Sequence, residues 1–349
     1  MKTLKDFHFK GKKVLVRCDF NVPLDERGNI LDDFRIRQTV PTIEYLIKKG
    51  ARIIILSRLG RPLEKPPAER KKYSSKIIIP RLEKLLKKKV KFLPNNILSK
   101  KVERETGKLR PGEIIVLENI RLYKGEVKNN LQFAKKVANL GEIYINEAFG
   151  EFHRKLASIV SIPKYLRSGI GFLAEKEIKV LTNLIKKPQK PLIAIVGGAK
   201  VETKTKLIDK ISEMAKFVLI GDLIKKEIEE KKIKLKNPQK IIAPIGNINA
   251  FDIDRRTANL FKEKIKLAKT IFWNGPLGKI EEKPFQKGSK AIAKAIIESD
   301  NLSVIGGGET VEFINKLGLT EEFDHVSTGG GAMLDFIVDG ELVGIEALK

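Results

Sequence analysis

The sequence predicts an α/β protein built on two parallel sheets. Short runs of β-branched and aliphatic residues recur along all 349 residues, most of these runs are continuously apolar, and helix-length amphipathic segments separate them. A strand buried on both faces needs no polar alternation, whereas one with a wet face does. The runs lie at 14–18, 53–56, 90–93, 114–117 and 143–145, then at 193–196, 217–220, 241–245, 271–273 and 303–305. Some ten strands fit two sheets better than one, and the length suggests two domains at roughly 150 residues each.

Between the strands, 41–49 reads as a helix. Pro41 suits its first turn, Ile43, Leu46 and Ile47 share a face, and Gly50 stops it. The segment 201–216 repeats the pattern with Val201, Ile208, Ile211 and Ala215. Gly169, Gly171 and Pro188 punctuate a further helix over 174–184, which is expected to connect domains spanning 1–168 and 169–334. The lysine-rich stretch 63–72, flanked and interrupted by Pro62, Pro66 and Pro67, reads as a mobile loop.

Composition narrows the class. Apolar residues make up 42% and charged residues 32%, enough to offset chain entropy with packed cores. No stretch approaches about 20 apolar residues, and the N-terminal segment lacks the apolar centre of a signal peptide, so a cytoplasmic protein without a membrane span is expected. The lone Cys18 has no disulfide partner. Its place in an apolar strand reads as an inert buried thiol, and Trp273 reads as core. With 69 Lys plus Arg against 43 Asp plus Glu, the formal charge is +26. Such a surplus attracts anions without choosing among them. Many of the lysines, in a chain rich in Lys, Glu and Ile, fit a heat-adapted solvated surface.

Positions decide more than totals, because open parallel sheets bind ligands beyond the carboxyl ends of their strands. In the first half those ends carry Arg17, Asp19 and Asn21, then Arg58 and Arg61, Arg121, and finally His153 and Arg154. Arg35 follows a capping Asp32 or Asp33. Guanidinium forks match carboxylate and phosphate oxygens. In the second half the strand ends are glycine turns: Gly197-Gly198, Gly275-Pro276, Gly306-Gly307-Gly308 and Gly329-Gly330-Gly331. Glycine lets backbone amides approach a phosphate chain, and a following helix N-terminus favours the anion. Lys200 and Lys204 sit one turn apart. One such turn or one such arginine means little, but the joint pattern points to a nucleotide site facing a small-anion site. Phosphoryl transfer suits that arrangement, since it needs mainly positioning and charge stabilisation. There is no G-x-x-x-x-G-K-[ST] loop, no protein-kinase signature and no H-E-x-x-H.

At these strand ends the sequence resembles phosphoglycerate kinase. Val14 to Arg17 followed by Asp19-Phe20-Asn21-Val22-Pro23 is similar to that family's N-terminal signature. The likeness continues collinearly through 33–37, 57–62, 117–121, 146–150, 171–177, 197–204, 273–278, 306–310 and 325–332. The resemblance implies two Rossmann-like domains joined by a hinge helix, with a C-terminal segment from about 335 packing back on the first. It implies reversible phosphoryl transfer between 1,3-bisphosphoglycerate and ADP, giving 3-phosphoglycerate and ATP, with Mg²⁺ and with domain closure. Asp19, Asn21, Arg35, Arg58, Arg61, Arg121 and Arg154 are then expected at the glycerate substrate. Arg35, Lys200, Gly307 and Gly308 are expected to act on the moving phosphoryl group. Gly197, Gly198, Lys200, Lys204, Gly221, Asn274, Pro276, Gly278, Glu281, Gly307, Gly308, Glu309 and Thr310 are expected at the nucleotide, with Glu309 at the metal. A monomer with no membrane or specific nucleic-acid partner is implied.

Three departures from the family stand out. Arg58 replaces a usual His, either to tighten substrate binding or to turn outward. Glu309 replaces the usual metal-binding Asp. After Ile220-Gly221, Asp222-Leu223 replaces a second glycine run, the stretch before Trp273 is shortened, and the family's Asp-Ile-Gly-Pro turn is altered to Asp252-Ile253-Asp254-Arg255. The base pocket is therefore expected to be open and base preference relaxed. These changes also permit a catalytically impaired relative that only binds phosphoglycerate or nucleotide. A nucleic-acid-binding protein is the third reading, weakened by the lack of an aromatic-basic platform.

Overall fold

A computed structural model describes residues 1–198, 201–246 and 251–349. Among them the strands form two six-stranded sheets in which neighbouring strands pair in parallel. The first holds β1 (Lys13–Cys18), β2 (Arg52–Ser57), β3 (Lys91–Leu93), β4 (Ile114–Leu117), β5 (Ile143–Asn146) and β6 (Arg167–Ile170), in the order β3-β4-β2-β1-β5-β6. The second holds β7 (Leu192–Val196), β8 (Phe217–Ile220), β9 (Ile241–Ile242), β10 (Thr270–Asn274), β11 (Leu302–Gly306) and β12 (His325–Val326), in the order β12-β11-β10-β7-β8-β9. The chain divides into two compact units, Met1–Ile178 with Glu341–Lys349, and Lys179–Gly340.

Alternate residues of the first sheet serve two different cores, which explains the unbroken apolar runs. Val14, Val16 and Cys18 pack with Ile53, Ile55 and with Ile36, Ile43 and Leu46 of the helix Phe34–Lys48. Leu15, Ile54, Leu56 and Tyr144 face the other way, onto Phe133, Ala134 and Val137 of the helix Leu131–Ala138. Cys18 is fully buried within the first of these cores. The end of the chain joins the same unit: the Gly344 amide donates to the Phe152 carbonyl (2.8 Å), and Leu342, Ile345 and Leu348 are buried.

Several local expectations need correction. The first long helix starts at Phe34 rather than Pro41, because the Asp32 carboxylate accepts the Phe34 amide (2.7 Å) and starts the turn there. Pro41 therefore lies inside that helix and forgoes one backbone hydrogen bond. The stretch 63–72, expected as a loop, has local structure of its own. It forms 3₁₀ turns at Pro62–Glu64 and Pro67–Tyr73, whose first residues are prolines with φ already set. The run 241–245 keeps only Ile241–Ile242 as strand, ahead of Pro244. Two edge strands escaped the apolar pattern. β6 is Arg-Ser-Gly-Ile, with Gly169 required because a Cβ would sit 2.7 Å from the Lys2 carbonyl. β12 has only two residues.

The helix Phe172–Lys186 carries the chain out of the first unit, and its start is held by Glu147, just beyond β5. The buried Glu147 carboxylate accepts from the amides of Leu173 (3.0 Å) and Ala174 (3.1 Å) and from the Thr42 hydroxyl. Burial pushes this carboxyl up to about 7, against those three hydrogen bonds. A carboxyl that titrates higher when folded stabilises the fold fully below its unfolded value, near 4.5, and loses that contribution as pH rises through about 7. The melting temperature is therefore expected to fall less between pH 4.5 and 7.5 in Glu147→Gln than in the wild type. Equal falls would show that this carboxyl does not titrate in that window.

Candidate active site

Parallel register aligns the strand ends of the first sheet. Cys18 pairs with Ser57, and Arg17 pairs with Asn146, so Asp19, Arg58 and Glu147 leave the sheet side by side. The winding of the chain reverses between β1 and β5, where a crevice opens in sheets of this kind. Asp19 accepts from Arg58 Nε (2.9 Å) and pairs with Arg35 Nη1. Burial pushes its carboxyl up, but Arg35, Arg58 and Arg17 outweigh burial and hold it well below the usual carboxylate range. Asn21 accepts the Gly60 amide (2.7 Å), fixing the turn after β2 against the turn after β1.

A second carboxylate ties the other arginines together. Glu151 is fully buried and lies 3.2 Å from Arg58 Nη2, 3.4 Å from Arg154 Nε and 3.8 Å from Arg17 Nη2, with Arg121 Nη2 hydrogen-bonded to it. Arg17 also donates to Ser158 (2.8 Å) and lies 4.0 Å from the buried Glu126. Five guanidiniums therefore meet three carboxylates, and the cluster keeps a net positive charge suited to an anion. Arg58 turns inward: it is 7% exposed, and its fork spans Asp19 and Glu151. Arg61 is exposed beside Glu64 at 3.5 Å. Arg154 also donates to His153 Nε2 (3.2 Å).

In the second unit, Asn274 pairs with Val196 on one side and with Gly306 on the other, so Gly197, Gly275 and Gly307 emerge together where β7 and β10 diverge. Backbones touch here. A Cβ on Gly197 would lie 2.1 Å from the Pro276 carbonyl oxygen, and one on Gly275 would lie 2.0 Å from that of Gly197. Gly275 and Gly307 also hold φ of +94° and +96°, which an L side chain resists. The Thr310 hydroxyl accepts the Gly275 amide (2.9 Å), and the Lys204 ammonium donates to Asn274 Oδ1.

Two adjoining cavities open over these turns. One, of about 350 Å³, is lined by Lys204, Asn274, Gly275, Gly307, Gly308 and Thr310 among others, at the N-terminus of the helix Gly308–Lys316. Glycine amides, a lysine and a helix dipole make this a cradle for phosphate oxygens. The other, of about 290 Å³, is mostly apolar and is walled by Gly221, Asp222, Phe251, Pro276, Leu277 and Gly278, with Lys279 and Glu281 at its polar margin. Gly198 and Glu309 border both cavities. Among the described residues no three His, Cys, Asp or Glu groups form a metal cage. Glu309 alone, exposed on the first turn of its helix, still fits Mg²⁺, which commonly takes one or two carboxylates and completes its shell with substrate phosphates and water.

The structure thus brings Asp19, Asn21, Arg35, Arg58, Arg121 and Arg154 to one sheet edge. It places Gly197, Gly198, Lys204, Gly221, Asn274, Pro276, Gly278, Glu281, Gly307, Gly308, Glu309 and Thr310 around the cavities of the second. Lys200 lies outside the described residues. Sequence reasoning missed Glu151, although it sits three residues before Arg154, the usual spacing of a helical-turn ion pair. It also missed Phe251, whose aromatic ring stands exposed beside the apolar cavity.

The chain is similar throughout to proteins of one kind. A family model described as phosphoglycerate kinase matches residues 4–229 and 222–340. A phosphoglycerate kinase of Borrelia garinii subsp. bavariensis is 38% identical over 395 residues, covering all of this chain and 99% of the relative. One from Coprothermobacter proteolyticus is 38% identical over 391 residues, covering all of this chain and 98% of that protein. The solved phosphoglycerate kinase of Pyrococcus horikoshii OT3 superposes with a TM-score of 0.89 at 29% identity, covering all of this chain and 98% of the other. That of Coxiella burnetii gives 0.82 at 30% identity, covering 99% and 98%. Alignments longer than this 349-residue chain mean that the relatives carry segments it lacks, and the two matches to the family model meet at 222–229.

Removing one partner of a buried ion network leaves uncompensated charge. Glu151→Leu strands four guanidiniums and is expected to cost about 3–5 kcal/mol of unfolding free energy in urea denaturation. A loss below about 1 kcal/mol would show that the arginines hold their places without it.

Proposed function

Because the chain belongs to the phosphoglycerate kinase family, we propose that its arginine-rich cluster binds that enzyme's glycerate substrate and its glycine-lined cluster binds the nucleotide. The enzyme is a phosphotransferase that moves a phosphoryl group reversibly between 1,3-bisphosphoglycerate and ADP, giving 3-phosphoglycerate and ATP, in glycolysis and gluconeogenesis. The full-length match at 38% identity carries this conclusion. No observation favours a relative that only binds.

In the unit around β1 to β6, Asp19, Asn21, Arg35, Arg61, Arg121 and Arg154 hold the glycerate phosphate and carboxylate. Arg58 supports them through Asp19 and Glu151, its fork being filled by those carboxylates. This unit is the phosphoglycerate-binding domain, and the unit around β7 to β12 is the nucleotide-binding domain. There Lys204 and the amides of Gly307 and Gly308 cradle the nucleotide phosphates, while Pro276, Gly278 and Glu281 border the base and ribose. Glu309 holds Mg²⁺, which when bound neutralises phosphate charge. An acyl-phosphate donor needs no general base, so the catalytic work falls on fixed positive charge and oriented amides. Arg35 and Lys200 stabilise the charge spread over the moving phosphoryl group. We assign the protein to the cytoplasm as a monomer, with no nucleic-acid ligand of its own.

Nucleotide turnover in a coupled assay is expected to require 3-phosphoglycerate and to stop on chelation of Mg²⁺. Absence of turnover by folded protein with every common nucleoside triphosphate would overturn the enzyme assignment. Lys200→Ala is expected to keep the fold, by circular dichroism, and to lose at least about 10²–10³ in kcat. Near-wild-type kcat would remove Lys200 from the assigned set.

A further inference from the structure

Asp222 is the unexplained group of the nucleotide half-site. It opens the helix Asp222–Glu230 directly after β8 and Gly221, is only 4% exposed, lines the apolar cavity, and its Oδ1 has no hydrogen-bond partner among the described residues. The charged groups that influence it are engaged elsewhere. Lys225 donates to the Pro244 carbonyl (3.0 Å). Asp252 accepts the amides of Gly288 (2.8 Å) and Ile253 (3.0 Å), and Asp254 caps its helix through Thr257 (2.7 Å). A buried acceptor without a donor is costly, and buried polar groups in folded proteins are almost always paired. A ligand that enters the cavity and supplies donors removes that cost.

The cavity's character decides which part of a ligand enters. Its lining is mainly apolar, and Asp222, Glu281 and Glu309 make it unfavourable for phosphate. The phosphates belong in the neighbouring cavity with Lys204 and the glycine amides. Phe251 lines the apolar cavity with the Lys279 ammonium 5.5 Å from its ring centroid and Phe285 at 5.1 Å, and its exposed 58% adds aromatic surface that a base can contact. The apolar cavity is therefore the base pocket. This rests on the kinase reading above.

We propose that Asp222 is the base-selecting residue and that the pocket takes guanine in preference to adenine. An ionised carboxylate only accepts hydrogen bonds. Guanine presents two adjacent donors, N1–H and the 2-amino group. Adenine presents the 6-amino donor beside the N1 acceptor, which a carboxylate oxygen repels. Burial raises the Asp222 carboxyl to about 6, with Lys225 opposing and Asp252 and Asp254 adding to the rise. It is thus chiefly ionised, and acceptor-only, at pH 7.5 and above.

The test is steady-state kinase turnover of the full-length protein at pH 8 with 3-phosphoglycerate and Mg²⁺, varying GTP, ITP and ATP. The wild type is expected to rank GTP above ITP above ATP in kcat/KM, because inosine keeps N1–H and lacks the 2-amino group. GTP should exceed ATP by roughly tenfold or more. Asp222→Asn offers one donor and one acceptor, and it is expected to lower the GTP to ATP ratio by at least about tenfold. A wild-type ratio at or below one, or a ratio unmoved by Asp222→Asn, overturns the proposal. The wild-type ranking stands as a test even if the variant fails to fold. Lack of turnover with all three nucleotides refutes the kinase reading itself, an outcome distinct from turnover that favours ATP.

Discussion

Parallel register is the constraint from which the rest of this structure follows. When neighbouring strands run the same way and pair without offset, their carboxyl ends reach one level, and whatever residues come next are forced together. Cys18 opposite Ser57 brings Asp19 beside Arg58. Asn274 between Val196 and Gly306 brings three glycine turns within backbone contact. The same pairing buries both faces of the first sheet, so its chemistry can only appear at that edge.

The two units gather positive potential at their strand ends in opposite ways. The first concentrates guanidiniums until they need internal counter-charges. Asp19 and Glu151 supply these and, in doing so, fix the directions in which the arginines point. Such buried pairs are poor sources of net stability, since desolvation offsets most of their attraction, but they orient long side chains. The second unit avoids side chains almost entirely. Backbone amides at Gly307 and Gly308, with a helix dipole behind them, need no counter-ion and lose no side-chain entropy. Its neighbouring apolar cavity carries a buried carboxylate, Asp222, whose Oδ1 has no hydrogen-bond partner among the described residues.

Most of the fold was legible because continuous apolar runs have few other solutions in a chain of this length. What escaped was short, polar or at an edge. Gly169 and Arg167 disguised β6 as a linker, and Pro41 disguised the middle of a helix as its start. The candidate site was legible where residue type alone carries the chemistry, as with arginines and glycines after strands. Glu151 was missed because an acidic residue in a basic cluster acquires its role only from its neighbours. Phe251 was missed because a ring exposed on a loop is indistinguishable in sequence from a surface aromatic.

The order of residues alone specified two parallel sheets, an arginine-rich edge and a glycine-rich edge, because periodicity and composition at strand ends are local properties, and its collinear motifs carried the resemblance to a kinase family. Folding decided which charges meet. Arg58, a departure from the family visible in the sequence, turns inward and joins two carboxylates 132 positions apart in the chain, Asp19 and Glu151. Asp222, equally visible, becomes a buried acceptor beside an apolar cavity, while Lys225, the neighbouring cation, donates to the Pro244 carbonyl instead. Burial and the allocation of partners are set by the whole three-dimensional neighbourhood, and no local reading of the chain contains them.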